Sequence, residues 1–117
     1  MPATNAAPVD LEHLARYTGG ARDLNVDVLR LFADQSAQLL KELEAVIAAG
    51  DEARWRHITH SLKGAAQGIG AFALADAATV AEPLDLAFEA KRASAALAAL
   101  RDRTETVQAF IQAYLQF

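Results

Sequence analysis

Leu29, Phe32, Ser36, Leu39, Leu43 and Val46 follow one another at alternating steps of three and four residues. The same rhythm returns in Leu97, Leu100, Thr104, Val107, Ile111 and Tyr114. An α-helix advances about 100° per residue, so this spacing gathers a narrow seam that must be buried against other helices. Two long seamed helices commit the chain to helix-on-helix packing. Composition points the same way. Hydrophobic residues make up 53% of the sequence, and many are alanine, the best helix former, while Val, Ile and Thr are too sparse for a sheet.

The breakpoints divide the chain into helices. Asp10 is placed to cap a short first helix with Leu11, Leu14 and Tyr17 on one side, stopped by Gly19 and Gly20. The second helix is expected to begin near Asn25 or Asp27 and to end at Gly50. Asp51 would cap a third, from about Asp51 to Ile69. A fourth starts at Gly70 or Ala71, carries Phe72, Leu74, Ala77, Val80 and Ala81, and breaks or kinks at Pro83, which lacks a backbone donor. The last runs from about Glu89 to Gln116. Short connections favour antiparallel neighbours. The expected fold is therefore all-α: an up-and-down antiparallel four-helix bundle with a short extra N-terminal helix. The 117 residues suit one domain, over 9–117, preceded by a flexible tail over residues 1–8. Such a core closes its own apolar surface, so a monomer is expected.

Several functions are disfavoured at this level. The formal net charge of −4 provides no basic stripe for nucleic acid. The absence of cysteine removes disulfides, thiolate zinc sites and thiol catalysis. The first eight residues lack the charged and apolar regions of a signal peptide, and no apolar run is long enough to span a bilayer, so a cytoplasmic protein with no membrane partner is expected.

The stretch from Arg54 to Gly70 is the most informative. On a helical projection Trp55, Ile58, Leu62, Ala65 and Ile69 share the core side, and His60 points almost directly away from it. Arg56, Lys63, Gly64 and Gln67 lie within roughly 60° of His60. Gly64, inside a helix, costs roughly 0.5–1 kcal/mol relative to alanine. It sits one turn beyond His60, where a larger side chain would crowd the ring and any approaching partner. A neutral imidazole is nucleophilic, and Lys63 is placed to neutralise an anion attached to it. Glu82, just before Pro83, could approach this patch from the neighbouring helix.

The run His60-Ser61-Leu62-Lys63-Gly64, with Gly70 ten residues after the histidine, resembles the H-x-L-K-G motif of histidine-containing phosphotransfer (HPt) domains. The Gly50-Asp51 step ahead of the motif helix and the flanking helices extend the resemblance over nearly the whole chain. It implies a phosphorelay intermediate without kinase activity of its own. His60 would accept a phosphoryl group through Nε2 from the aspartate of one receiver domain and pass it to another receiver. The expected partners are response-regulator receiver domains or a hybrid histidine kinase. No cofactor is expected on this chain, and Mg2+ would sit on the receiver. Lys63 carries over as the phosphate-stabilising residue, Gly64 as the access glycine and Gly70 as a structural turn. Gln67 departs from the small residues common in that turn; it could donate to phosphate or edge the docking surface. Arg56 and His57 would form the docking rim.

Two other readings fit parts of the pattern. A receiver-binding helical module that carries no phosphate would need the same surface. A metal-binding bundle could use His57 and His60, one turn apart. No further histidine or cysteine lies near them, and the Glu-x-x-His set of carboxylate di-metal bundles is absent from this helix.

Overall fold

The computed structural model describes residues 7–117. Five helices follow in order: α1 (Leu11–Thr18), α2 (Arg22–Ala49), α3 (Glu52–Ile69), α4 (Phe72–Ala81) and α5 (Ala90–Leu115). The tail expected over residues 1–8 lies, for residues 1–6, outside the described part of the chain. Val9 is already buried against the core.

The helix ends follow from local chemistry. Asp10 caps α1 by accepting hydrogen bonds from the amides of Glu12 and His13, and Asp51 caps α3 by accepting from Arg54. Gly50 and Gly70 close α2 and α3 in the left-handed conformation. Each donates to a carbonyl of the last turn while the next amide reaches back one residue further, Asp51 to Val46 and Ala71 to Ala66. At Gly70 the constraint is double. A side chain there would meet the Asp10 carbonyl at 2.7 Å, and the Asp10 amide donates to the Gly70 carbonyl at 3.0 Å. The chain leading into α1 is thus fastened across the end of α3.

α2 packs on α3, α3 on α4, α4 on α5, and α5 back on α2, closing a four-helix ring, while α1 lies over α2 and α3. The turns at 50–51 and 70–71 are too short for anything but reversal between neighbours. Both seams are inside: Leu29, Phe32, Ser36, Leu43 and Val46 from α2, and Leu97, Leu100, Thr104, Val107 and Ile111 from α5. Leu39 and Tyr114 are partly buried against them. No helix of the described residues is long and apolar enough to cross a membrane.

Three expectations are corrected. α2 begins at Arg22, one turn earlier than Asn25, because Asn25 is not a cap. Its Oδ1 accepts from the Thr18 hydroxyl at 2.6 Å and its Nδ2 donates to the Tyr114 hydroxyl at 3.0 Å, tying α1, α2 and α5 together. Tyr17 is 70% exposed; α1 buries Leu14 and Thr18 instead, and Leu11 is at its margin. In α4 the buried face is Leu74, Ala75, Ala78 and Ala81, while Phe72 and Val80 face outward. α4 is apolar nearly all round, so its periodicity selects no face.

Candidate functional site

α3 is built with one dry side and one open side. Trp55, Ile58, Leu62, Ala66 and Ile69 are buried, with Ala65 partly so. Thr59 is buried too, because its hydroxyl donates to the carbonyls of Trp55 and Arg56 in its own helix. On the opposite side the imidazole of His60 is 69% exposed. Around it lie Arg56, His57, Gly64 and Gln67, all exposed, and the half-sheltered Lys63. A Cβ added at Gly64 would meet nothing within 4 Å, so the place beside His60 is open space and not a helix contact. Gly68, one turn further, is open in the same sense. Gly70 lies apart at the end of α3, where it makes the turn described above.

Glu82, at the end of α4, does reach the patch. The Glu82 carboxylate faces Nδ1 of His60, with Oε2 at 3.3 Å and Oε1 at 3.4 Å. The same carboxylate lies 3.9 Å from Nζ of Lys63. Glu82 is placed by the helix it ends. Its amide donates to the Ala78 carbonyl, and Ala78 and Ala81 are packed into the core. The indole of Trp55 donates to the Ala81 carbonyl at 2.9 Å. Trp55 therefore links the dry side of α3 to the residue before Glu82, and Pro83 stops the helix there. The position of Glu82 before this proline was the one hint in the sequence.

The contact fixes what the ring can do. A carboxylate can only accept, so it favours the tautomer with hydrogen on Nδ1. Nε2 then carries the lone pair, and it has no partner among the described residues. The result is an exposed imidazole with one nitrogen occupied, a lysine one turn along, and empty space beside it. The arginines are differently engaged. Arg56 pairs with Glu52 at 3.0 Å within α3, and Arg54 with Glu42 of α2 at 2.8 Å. No group of three or more histidine, aspartate or glutamate side chains that could hold a metal is found among the described residues.

No curated protein matches the chain. Among solved structures it is similar to histidine-containing phosphotransfer protein B (HptB) from Pseudomonas aeruginosa PAO1, with 27% identity and a TM-score of 0.84, covering 97% of this chain and 99% of that one. The Hpt domain family model matches residues 27–115. That span takes in most of α2 and all of α3, α4 and α5, and the chain belongs to the Hpt domain family of phosphotransfer carriers.

Proposed function

We propose that His60 is the phosphoryl-accepting residue of a phosphorelay intermediate, taking the group from a receiver-domain aspartate and delivering it to another receiver. The observation that carries this reading is the orientation of His60: Nδ1 turned to Glu82 at 3.3–3.4 Å, and a ring otherwise open to an approaching partner. The lone pair of Nε2 attacks the phosphorus of the aspartyl phosphate. The acyl P–O bond breaks, and its electron pair stays on the receiver carboxylate. Most of the catalytic apparatus, including the divalent cation, belongs to the receiver.

The surrounding residues have separable roles. Lys63 neutralises the phosphoryl oxygens; its flexible stem allows it to leave Glu82, from which it is already 3.9 Å away. Gly64 leaves the approach clear. Glu82 holds the tautomer. Arg56 and His57 border the docking surface, Arg56 offering a positive charge to an acidic partner. Gln67 edges the same surface and is free to donate to phosphate. Gly70 acts only through the fold.

The test is to incubate the protein with a phosphorylated receiver and look for an acid-labile, base-stable phosphoryl group. The wild type should be labelled, and His60→Gln should not. Undiminished labelling of the variant would refute the assignment. Receiver binding without any labelling is the result expected of a phosphate-independent module.

A further inference from the structure

While Nε2 forms its bond to phosphorus, Nδ1 keeps its hydrogen. The ring therefore passes from a neutral imidazole to a phosphoimidazolium with one positive charge. In the onward step a receiver carboxylate oxygen forms the new P–O bond, and the P–N electron pair returns to Nε2. If Nδ1 is still protonated, the ring leaves as neutral imidazole and no proton is exchanged with solvent. If that hydrogen has been lost, the ring would have to leave as an imidazolide anion, a far poorer leaving group. The proton on Nδ1 thus decides whether phosphate on His60 is mobile or parked.

The charged groups facing the ring can be named. From α4 there is the Glu82 carboxylate, against Nδ1 and itself only 26% exposed. From α3 there is Lys63, whose Nζ lies nearest the same carboxylate. Arg56 on α3 is engaged with Glu52, and Glu42 of α2 with Arg54. When Lys63 turns to the phosphoryl oxygens, Glu82 is left facing the ring alone. Its carboxylate then faces, at 3.3–3.4 Å, a ring that carries the opposite charge once phosphorylated, and partial burial of the carboxylate limits screening.

We infer that Glu82 is a positioning residue that keeps phosphorylated His60 protonated on Nδ1, so that the chain carries phosphate briefly and releases it readily instead of storing it. This rests on the phosphotransfer reading and goes beyond it, since a tautomer could be fixed by any acceptor, whereas the phosphoimidazolium is favoured by a negative one.

Glu82→Gln separates these two effects. Its amide oxygen can still accept from Nδ1, but the charge is gone. Wild-type, Glu82→Gln and Glu82→Ala proteins are labelled from the same phosphorylated receiver, and loss of label is followed alone and with fresh receiver. Glu82→Gln should still take up phosphate, but more slowly than the wild type, because the ring gains its positive charge in that step. Its label should then survive about threefold to fivefold longer, and leave for fresh receiver correspondingly more slowly, the scale set by a largely exposed ring. Glu82→Ala should be slower in uptake as well.

The Gln substitution is repeated in a Lys63→Ala background, because freeing the lysine would also prolong the label. The lengthening should persist there. In 15N spectra of the phosphorylated proteins, Nδ1 of His60 should remain protonated in the wild type and lose hydrogen in Glu82→Gln. An unchanged or shortened lifetime, or a lengthening that disappears without Lys63, overturns the inference. Labelled wild type with equal lifetimes overturns it alone; failure to label the wild type overturns the phosphotransfer reading with it.

Discussion

Nδ1 of His60 and the carboxylate of Glu82 face each other across the packed pair α3 and α4, 3.3–3.4 Å apart. The unphosphorylated protein should therefore hold His60 mainly as the Nδ1–H tautomer. In 15N spectra of histidine-labelled protein the wild type should show this form, and Glu82→Ala should shift toward the tautomer mixture of a free side chain. Identical His60 signals in the two proteins would mean that the contact has no hold on the ring.

The glycines of α3 should separate fold from function. Gly64→Ala adds a methyl group to open space, so stability should rise by roughly 0.5–1 kcal/mol from helix propensity. A bulky side chain at Gly64 should leave the fold intact and slow phosphotransfer. Gly70→Ala should instead lose at least about 1–2 kcal/mol, since alanine is disfavoured at a φ of 80° and its Cβ collides with the Asp10 backbone. Thermal unfolding alongside transfer rates checks all three.

Trp55→Phe should affect both properties. It keeps most of the buried ring but removes the donor to the Ala81 carbonyl, a buried hydrogen bond contributing about 1 kcal/mol. It also loosens the end of α4 that carries Glu82. Denaturant unfolding should show the loss, and phosphoryl uptake should slow although Trp55 is far too buried to touch a partner.

The bundle was legible because a three-and-four spacing has only one use in a helix, and both α2 and α5 maintain it over several turns. The His60 patch was legible for the complementary reason: polar residues and a glycine interrupt the side of α3 opposite the core. What escaped depends on contacts between distant parts of the chain. Asn25 looks like a cap until its Oδ1 is seen to accept from Thr18 of α1 and its Nδ2 to donate to Tyr114 of α5, 89 positions away. Glu82 could be placed near the patch from its position before Pro83, but its contact with Nδ1 of His60 depends on the way α3 and α4 pack, which spacing within either helix does not specify. The outward faces of Phe72 and Val80 were hidden by the uniform apolarity of α4.

Thr104 occupies a place in the α5 seam with its hydroxyl buried and without a hydrogen-bond partner among the described residues. Thr104→Val, nearly the same shape, should be neutral or stabilising by up to about 1 kcal/mol, because an unsatisfied buried hydroxyl is removed. A clear loss of stability in denaturant unfolding would show that the hydroxyl has a partner in solution.

The central claim is that phosphate is carried on Nε2 of His60 while Nδ1 stays with Glu82. A correlated 31P–15N spectrum of the phosphorylated, histidine-labelled protein tests it directly. The predicted result is one phosphorus coupled to Nε2 of His60, absent from the His60→Gln protein. Phosphorus coupled to Nδ1, or found on His57 or His13, would contradict it.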